Sequence, residues 1–227
     1  MKYHVEFDID FKRNSSKGLY IAVEGTEGTG KTTQVDQLYA YFKKKGREVV
    51  KTREPRKNVG VVGTMVQQIL LGKIDVPSVA FQYLFTADRA IHHAELILPS
   101  LKAGKVVISD RCFWSAIPHG VMDQKGSFTA KTGESILMAQ SILSMYHQFT
   151  IPDYTFYLKL PLETALKRLA EEGSPKEIYE DRRQMKSIIA GYEWLLKEFP
   201  KEFHVIDAKQ SIENVTKSII DIINKKK

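Results

Sequence analysis

The most specific chemical signal in the chain is Gly25-Thr26-Glu27-Gly28-Thr29-Gly30-Lys31-Thr32, followed by Thr33, a fit to G-x-x-x-x-G-K-[ST]. Glycines let a backbone fold closely around an anion, with its N–H groups and the next helix N-terminus aimed at phosphate oxygens. The lysine of such a loop reaches the β- and γ-phosphates, and the hydroxyl after it is a ligand for Mg²⁺. Gly25 to Thr33 are therefore expected to hold a nucleoside triphosphate, with Lys31 catalytic and Thr32 on the metal. Such a loop serves hydrolysis, switching and phosphoryl donation alike. Residues on the acceptor side must decide among them.

Three arginines are candidates for that side: Arg53, Arg89 and Arg111. Each sits near the carboxyl end of an expected strand or on a helix able to face it, which is where open α/β sheets bind ligands. Arginine grips phosphate bidentately and stays charged at any working pH. Converging arginines would cancel repulsion between two anions and stabilise charge on the transferring group. Arg53 and Arg89 also have adjacent acids, Glu54 and Asp88, so simple ion pairing is the competing reading for each.

Apolar β-rich runs alternate with longer segments of helical period, the pattern of a parallel sheet flanked by helices. Strands are expected at 19–23, 48–51, 106–109, 155–159 and 203–206. Helices are expected at 31–45, 61–71, 78–102, 134–148, 162–172, 180–199 and 212–224. Right-handed crossovers limit this to a doubly wound α/β fold with a five-stranded parallel sheet. Residues 1–17 precede the first core strand as an N-terminal extension, and 18–227 form one domain. The alternation Val5, Phe7, Ile9, Phe11 suits either one added edge strand or an unstructured tail.

The 227 residues are 43% hydrophobic and 27% charged, which excludes a disordered polyelectrolyte, a collagen repeat and a coiled coil. A net charge of +7 points to an anionic partner without naming it. The single cysteine, Cys112, cannot form an internal disulfide. The first residues lack the pattern of a signal peptide, and no run is long and apolar enough to span a bilayer, so a cytoplasmic protein is expected.

The order and spacing of several segments then fall together. These are Thr52-Arg53-Glu54-Pro55, Phe85-Thr86-Ala87-Asp88-Arg89, Asp110-Arg111, Pro152-Asp153, Gly191-Tyr192 and Val205-Ile206-Asp207-Ala208. From about Leu19 to the C-terminus the chain resembles thymidylate kinases, P-loop enzymes that phosphorylate dTMP. The resemblance implies ATP as donor, dTMP as acceptor, a Mg²⁺ ion, a homodimer, and no nucleic-acid or membrane partner. It implies that Arg53 and Arg111 hold the acceptor phosphate, Phe85 stacks on the pyrimidine and Arg89 donates to a base carbonyl. Glu27 matches the acidic position used near the sugar and metal, and Asp110 would hold Mg²⁺ or its water. Ser115 and His119 fall at positions expected to read the acceptor.

The match has departures. Arg56-Lys57-Asn58 stands where the family usually has Gly-Gly-Thr. Cys112 replaces an aromatic, Ala116 a serine and His119 a tyrosine. The lid, expected near 171–181, carries Ile178 where an arginine is usual. Arg168, on the helix entering the lid, is expected to supply that charge, so its loss should lower turnover more than ATP affinity. Ala116 and His119 also keep open a related kinase acting on another nucleoside or nucleoside monophosphate. A nucleic-acid-stimulated ATPase has only the basic charge in its favour.

Overall fold

A computed structural model describes residues 8, 10–125, 133–172 and 181–225. Five strands, β1 (Leu19–Glu24), β2 (Val49–Arg53), β3 (Val106–Asp110), β4 (Tyr154–Lys159) and β5 (Phe203–Asp207), form one sheet in the order β2-β3-β1-β4-β5. Every pairing is parallel. The sheet follows from its strands: β1 and β3 are mainly apolar runs, each ending in one acid, Glu24 and Asp110, and almost wholly buried, as a strand covered on both faces must be.

Helices cover both faces. α1 (Lys31–Lys44), α7 (Leu162–Glu172) and α9 (Ile212–Lys225) lie on one, where Val35, Leu38, Ala165, Val215 and Ile219 pack with Ile21, Val23, Phe156 and Leu158. On the other lie α2 (Gly60–Leu70), α3 (Ser78–His92), α5 (Ala116–Lys125), α6 (Gly133–Tyr146) and α8 (Arg182–Glu198), packed with Ala22 and Tyr157. Successive residues of β1 thus serve opposite layers, the period-two consequence of a pleated strand.

Two expectations change. The single helix expected over 78–102 is α3, a π-turn at His93–Ile97 and α4 (Leu98–Lys102). An inserted residue of that kind shifts the helix face; here His93 and Ile97 become buried. The helix α5 lies outside the helices expected from periodicity; it contains Pro118 and Gly120, residues that disfavour helix in isolation. Pro118 falls in the first turn, where a missing N–H costs nothing. α8 crosses it at Gly191, where an added Cβ would stand 2.7 Å from the Pro118 Cα and Cβ.

Val5, Phe7 and Ile9 lie outside the described residues. Phe11 onward is neither a strand of the sheet nor a tail. It is a strap fixed by one parallel bridge, Lys12 to Thr150, and by the Ile151 N–H donating to the Lys12 carbonyl at 2.9 Å.

Candidate active site

The carboxyl ends of β1, β2 and β3 converge, and each delivers chemistry. β1 leads into the Gly25–Lys31 loop, whose Gly28 has φ 72° and leaves no room for a side chain: a Cβ there would lie 2.5 Å from the Ala165 carbonyl oxygen. Lys31 Nζ donates to the Thr26 carbonyl at 2.8 Å and to Glu27 Oε2 at 3.1 Å. Thr32 Oγ1 donates to Asp110 Oδ2 at 2.6 Å. Asp110 Oδ1 is buried and has no hydrogen-bond partner among the described residues. That unsatisfied carboxylate oxygen beside a threonine hydroxyl fits a hard cation with oxygen ligands. Among the described residues no three His, Cys, Asp or Glu side chains gather as a protein-only metal cage.

β3 delivers Arg111, whose φ is 72°. A non-glycine residue there costs about 1–3 kcal/mol and persists only where its surroundings fix it. Here its N–H donates to the Val23 carbonyl at 2.9 Å, and Ser109 Oγ donates to its carbonyl at 2.6 Å. The turn aims the buried guanidinium back over the phosphate loop. Nη2 pairs with Glu27, while Nη1 donates to Ser115 Oγ at 3.1 Å and Tyr192 Oη at 3.2 Å. Beneath them, Glu24 accepts from the Cys112 N–H, Ser115 Oγ and Tyr192 Oη at 2.8, 2.6 and 2.7 Å.

Glu27 thus bridges Lys31 and Arg111. Burial works to raise its pKa, but the two cations outweigh it and hold the carboxyl well below the usual range. Burial and Arg111 lower the Lys31 pKa, opposed by Glu27 and Asp110. Burial opposes the Arg111 charge too, yet Glu27, Tyr192 and Glu24 keep its pKa above the ordinary value.

β2 delivers the segment that clasps α3. Arg89 Nε donates to Glu54 Oε2 at 2.7 Å and Nη1 to Tyr146 Oη at 2.8 Å, with its guanidinium 5.4 Å from the Phe85 ring centroid. Glu54 also accepts from His92 Nδ1 at 3.3 Å. The Arg56 N–H and Nε donate to Asp88 Oδ2 and Oδ1 at 2.8 and 3.1 Å. The ion pairs considered from sequence were between neighbours, Arg53 with Glu54 and Asp88 with Arg89. The actual pairs cross from loop to helix instead. Of the residues that stand in place of the family's Gly-Gly-Thr, Arg56 is buried and ties this loop to Asp88 of α3.

A cleft opens between these groups and the phosphate loop, lined by Glu27, Glu54, Phe85, Arg89, Arg111, Ser115 and His119, with Gln82 and Ala116 beside them. The cleft is narrow, about 40 Å³, and its two arginines and the Phe85 ring are the groups that a phosphate and a base would meet there. Arg53 is not in that lining; it ends β2 exposed, paired in register with Asp110. His119 is buried, and its Nδ1 donates to the Ser115 carbonyl at 2.7 Å. Burial and Arg111 push its pKa down to about 3, so the imidazole is neutral. Burial beside Glu24 pushes the Cys112 thiol well up, as befits a packing residue.

Arg168 is not brought to the Lys31–Arg111 cluster. It lines a second cleft with Gly28, Thr29, Gly30, Thr33 and Gln34, and its Nη2 donates to the Ala208 carbonyl at 3.1 Å. Ile178 and most of the expected lid lie outside the described residues. Sequence reasoning missed Glu24, Tyr146 and Tyr192. Glu24 was signalled only by its place before Gly25, and Tyr192 by the Gly191-Tyr192 pair; Tyr146 carried no signal.

A family model described as thymidylate kinase matches residues 23–219. The chain is 37% identical over 217 residues to a thymidylate kinase of Bifidobacterium longum subsp. infantis, covering 89% of this chain and 84% of that protein. It is 34% identical to a thymidylate kinase of Thermoanaerobacter pseudethanolicus, covering 92% and 98%. A probable thymidylate kinase of Thermococcus gammatolerans is 30% identical, covering 91% and 96%.

Proposed function

The chain belongs to the thymidylate kinase family, and from that premise we propose that it transfers the γ-phosphoryl group of ATP to dTMP, giving dTDP and ADP. The observation that carries this reading is the Lys31–Glu27–Arg111 bridge, which joins a triphosphate loop to an arginine-lined acceptor cleft. One carboxylate holds both cations at the junction. Two phosphates entering from opposite sides would each take over a cation from it, so the repelling anions meet across a positively charged seam.

In the proposed reaction an acceptor phosphate oxygen attacks the γ-phosphorus in line, and ADP leaves. Lys31 and the loop N–H groups hold the donor phosphates, while Arg111 holds the acceptor phosphate and spreads the developing charge. Arg53, exposed at the end of β2, would reach the acceptor phosphate from solvent. Phe85 offers a face for the pyrimidine and Arg89, held by Glu54 and Tyr146, a donor for its carbonyl. Ser115 and His119 border the acceptor. Thr32 and Asp110 would hold Mg²⁺, which when bound neutralises charge across the β- and γ-phosphates. Arg168 stands where a donor base or ribose would lie, between the phosphate loop and the β5–α9 turn.

An acceptor panel of dTMP, dUMP, dCMP, dGMP and thymidine with ATP, read as ADP formation, tests the assignment. dTMP is expected to lead by kcat/KM; thymidine or dCMP leading would replace this reading with that of a kinase for another acceptor, which Ala116 and His119 favour. We also propose a homodimer. Val61, Met65, Val79 and Tyr83 of α2 and α3 are large, apolar and exposed, Val61 by 87%, and a second copy would cover them. Sedimentation velocity at micromolar concentration should give twice the chain mass; a monomer would refute it. No helix among the described residues is long and apolar enough to cross a membrane.

A further inference from the structure

The strap that precedes β1 lies outside the matched family region, yet it is tied to the molecule at four places. Phe11 sits 6.0 Å from the Phe113 ring, 5.3 Å from Trp114 and 6.0 Å from Phe199, centroid to centroid. Lys12 bridges Thr150. Arg13 Nη1 donates to Glu202 Oε2 at 2.8 Å, the second oxygen taking Nη2. Asn14 Nδ2 donates to Asp153 Oδ2 at 2.8 Å and to the Gly18 carbonyl at 3.0 Å.

What Phe11 packs against connects it to the acceptor cleft. Phe113 and Trp114 form the short turn between Arg111 and Ser115, whose side chains face the cleft and bond each other. A second route runs through Phe113 to Tyr146, 5.8 Å between centroids, and Tyr146 Oη accepts from Arg89. Both cationic groups of the cleft are thus backed by one aromatic cluster, and Phe11 packs on it at the point where Trp114 meets Phe199, 5.1 Å between centroids, at the end of α8. Arg111 already sits in a left-handed conformation that its surroundings must hold. A looser backing would let the Arg111–Ser115 turn relax.

We propose that residues 11–14 are a built-in buttress of the acceptor cleft, and that Phe11 is a positioning residue for Arg111 and Ser115. The proposal rests on the phosphoryl-transfer reading above. It predicts a particular pattern of defect, because the contacts of Phe11 run to the acceptor side and those of Asn14 to the start of β1, rather than to the Gly25–Lys31 loop itself.

The test uses the full chain and its Phe11→Ala and Phe11→Leu variants, with KM for dTMP, KM for ATP, kcat, melting temperature and tryptophan emission measured for each. Phe11→Ala should raise the KM for dTMP by about tenfold, since small misplacements of binding groups are amplified in affinity and rate. The KM for ATP should stay within about twofold, and Phe11→Leu should restore most of the loss. Trp114 emission should shift in the alanine variant. Should Phe11→Ala fail to fold, Arg13→Ala/Asn14→Ala loosens the strap without opening a hole, and should raise the dTMP KM by about threefold. A lower melting temperature with an unchanged dTMP KM, or KM values for both substrates rising together, overturns the buttress alone. A parent chain that does not phosphorylate dTMP overturns the functional reading and the buttress with it.

Discussion

At the residue scale, the chemistry concentrates on a few charges held by one another. The Glu27 carboxylate accepts from Lys31 and Arg111, and the Arg89 guanidinium donates to Glu54 and Tyr146, so each charge is fixed in place by its partners. The phosphate loop was legible in the sequence because its backbone demands glycine and its chemistry demands lysine, so the letters carry the geometry. Arg168 was not legible in the same way: a helix position says which face a side chain shares, not which end of a bound nucleotide it meets. Its bond to Ala208 turns it to the cleft beside Gly28, Thr29 and Thr33. Arg168→Ala is therefore expected to raise the KM for ATP by about tenfold, a contact worth roughly 1.4 kcal/mol, and to change kcat less. Steady-state kinetics over varied ATP would show it. A large loss of kcat with unchanged KM would return Arg168 to the transferring phosphoryl group.

At the element scale, the loop after β2 and the helix α3 act as one piece. Glu54–Arg89 and Arg56–Asp88 are two crossed, buried ion pairs between them. Strand positions and most helices were readable from periodicity, but crossed pairs were not, since sequence neighbours such as Asp88 and Arg89 point to different partners. α5 also lay outside that periodicity: Pro118 and Gly120 disfavour helix in isolation, and only packing explains them. Removing one member of a buried pair leaves the other charge stranded. Arg56→Ala should thus lower stability by about 3 kcal/mol, near 6–12 °C of Tm for a domain of this size. Adding Asp88→Asn should recover at least about 1 kcal/mol. Equal melting of the single and double variants would mean that the pair is not coupled.

At the scale of the whole molecule, two buried histidines set the pH response. Burial lowers the pKa of His93 to about 4 and that of His119 to about 3. Both are neutral when folded, whereas the unfolded chain takes up their protons near the ordinary value of about 6.5. The unfolded state therefore binds more protons from about pH 6.5 downward, and stability falls as pH drops through that window. Near pH 5 each should cost on the order of 1–2 kcal/mol relative to pH 7. Glu27 and Glu54 have depressed values, so their contribution is intact above the ordinary carboxylate range and is lost only below it. Urea midpoints at pH 7 and pH 5 should differ, and His119→Asn should narrow the gap. A gap unchanged by that substitution would contradict a neutral buried His119.

The net charge of +7 is met at the same scale. Lys31 and Arg111 share Glu27, and Arg89 pairs with Glu54, so these three cations and two acids leave a single positive charge of that excess in the cleft. What separates a kinase from a nucleotide hydrolase is the fate of the γ-phosphoryl group. Phosphorus NMR of the chain with Mg²⁺, ATP and dTMP follows it directly. dTDP and ADP should appear in equal amounts, with free phosphate absent until ATP is exhausted. Free phosphate rising with ADP while dTMP persists would contradict the account at its centre.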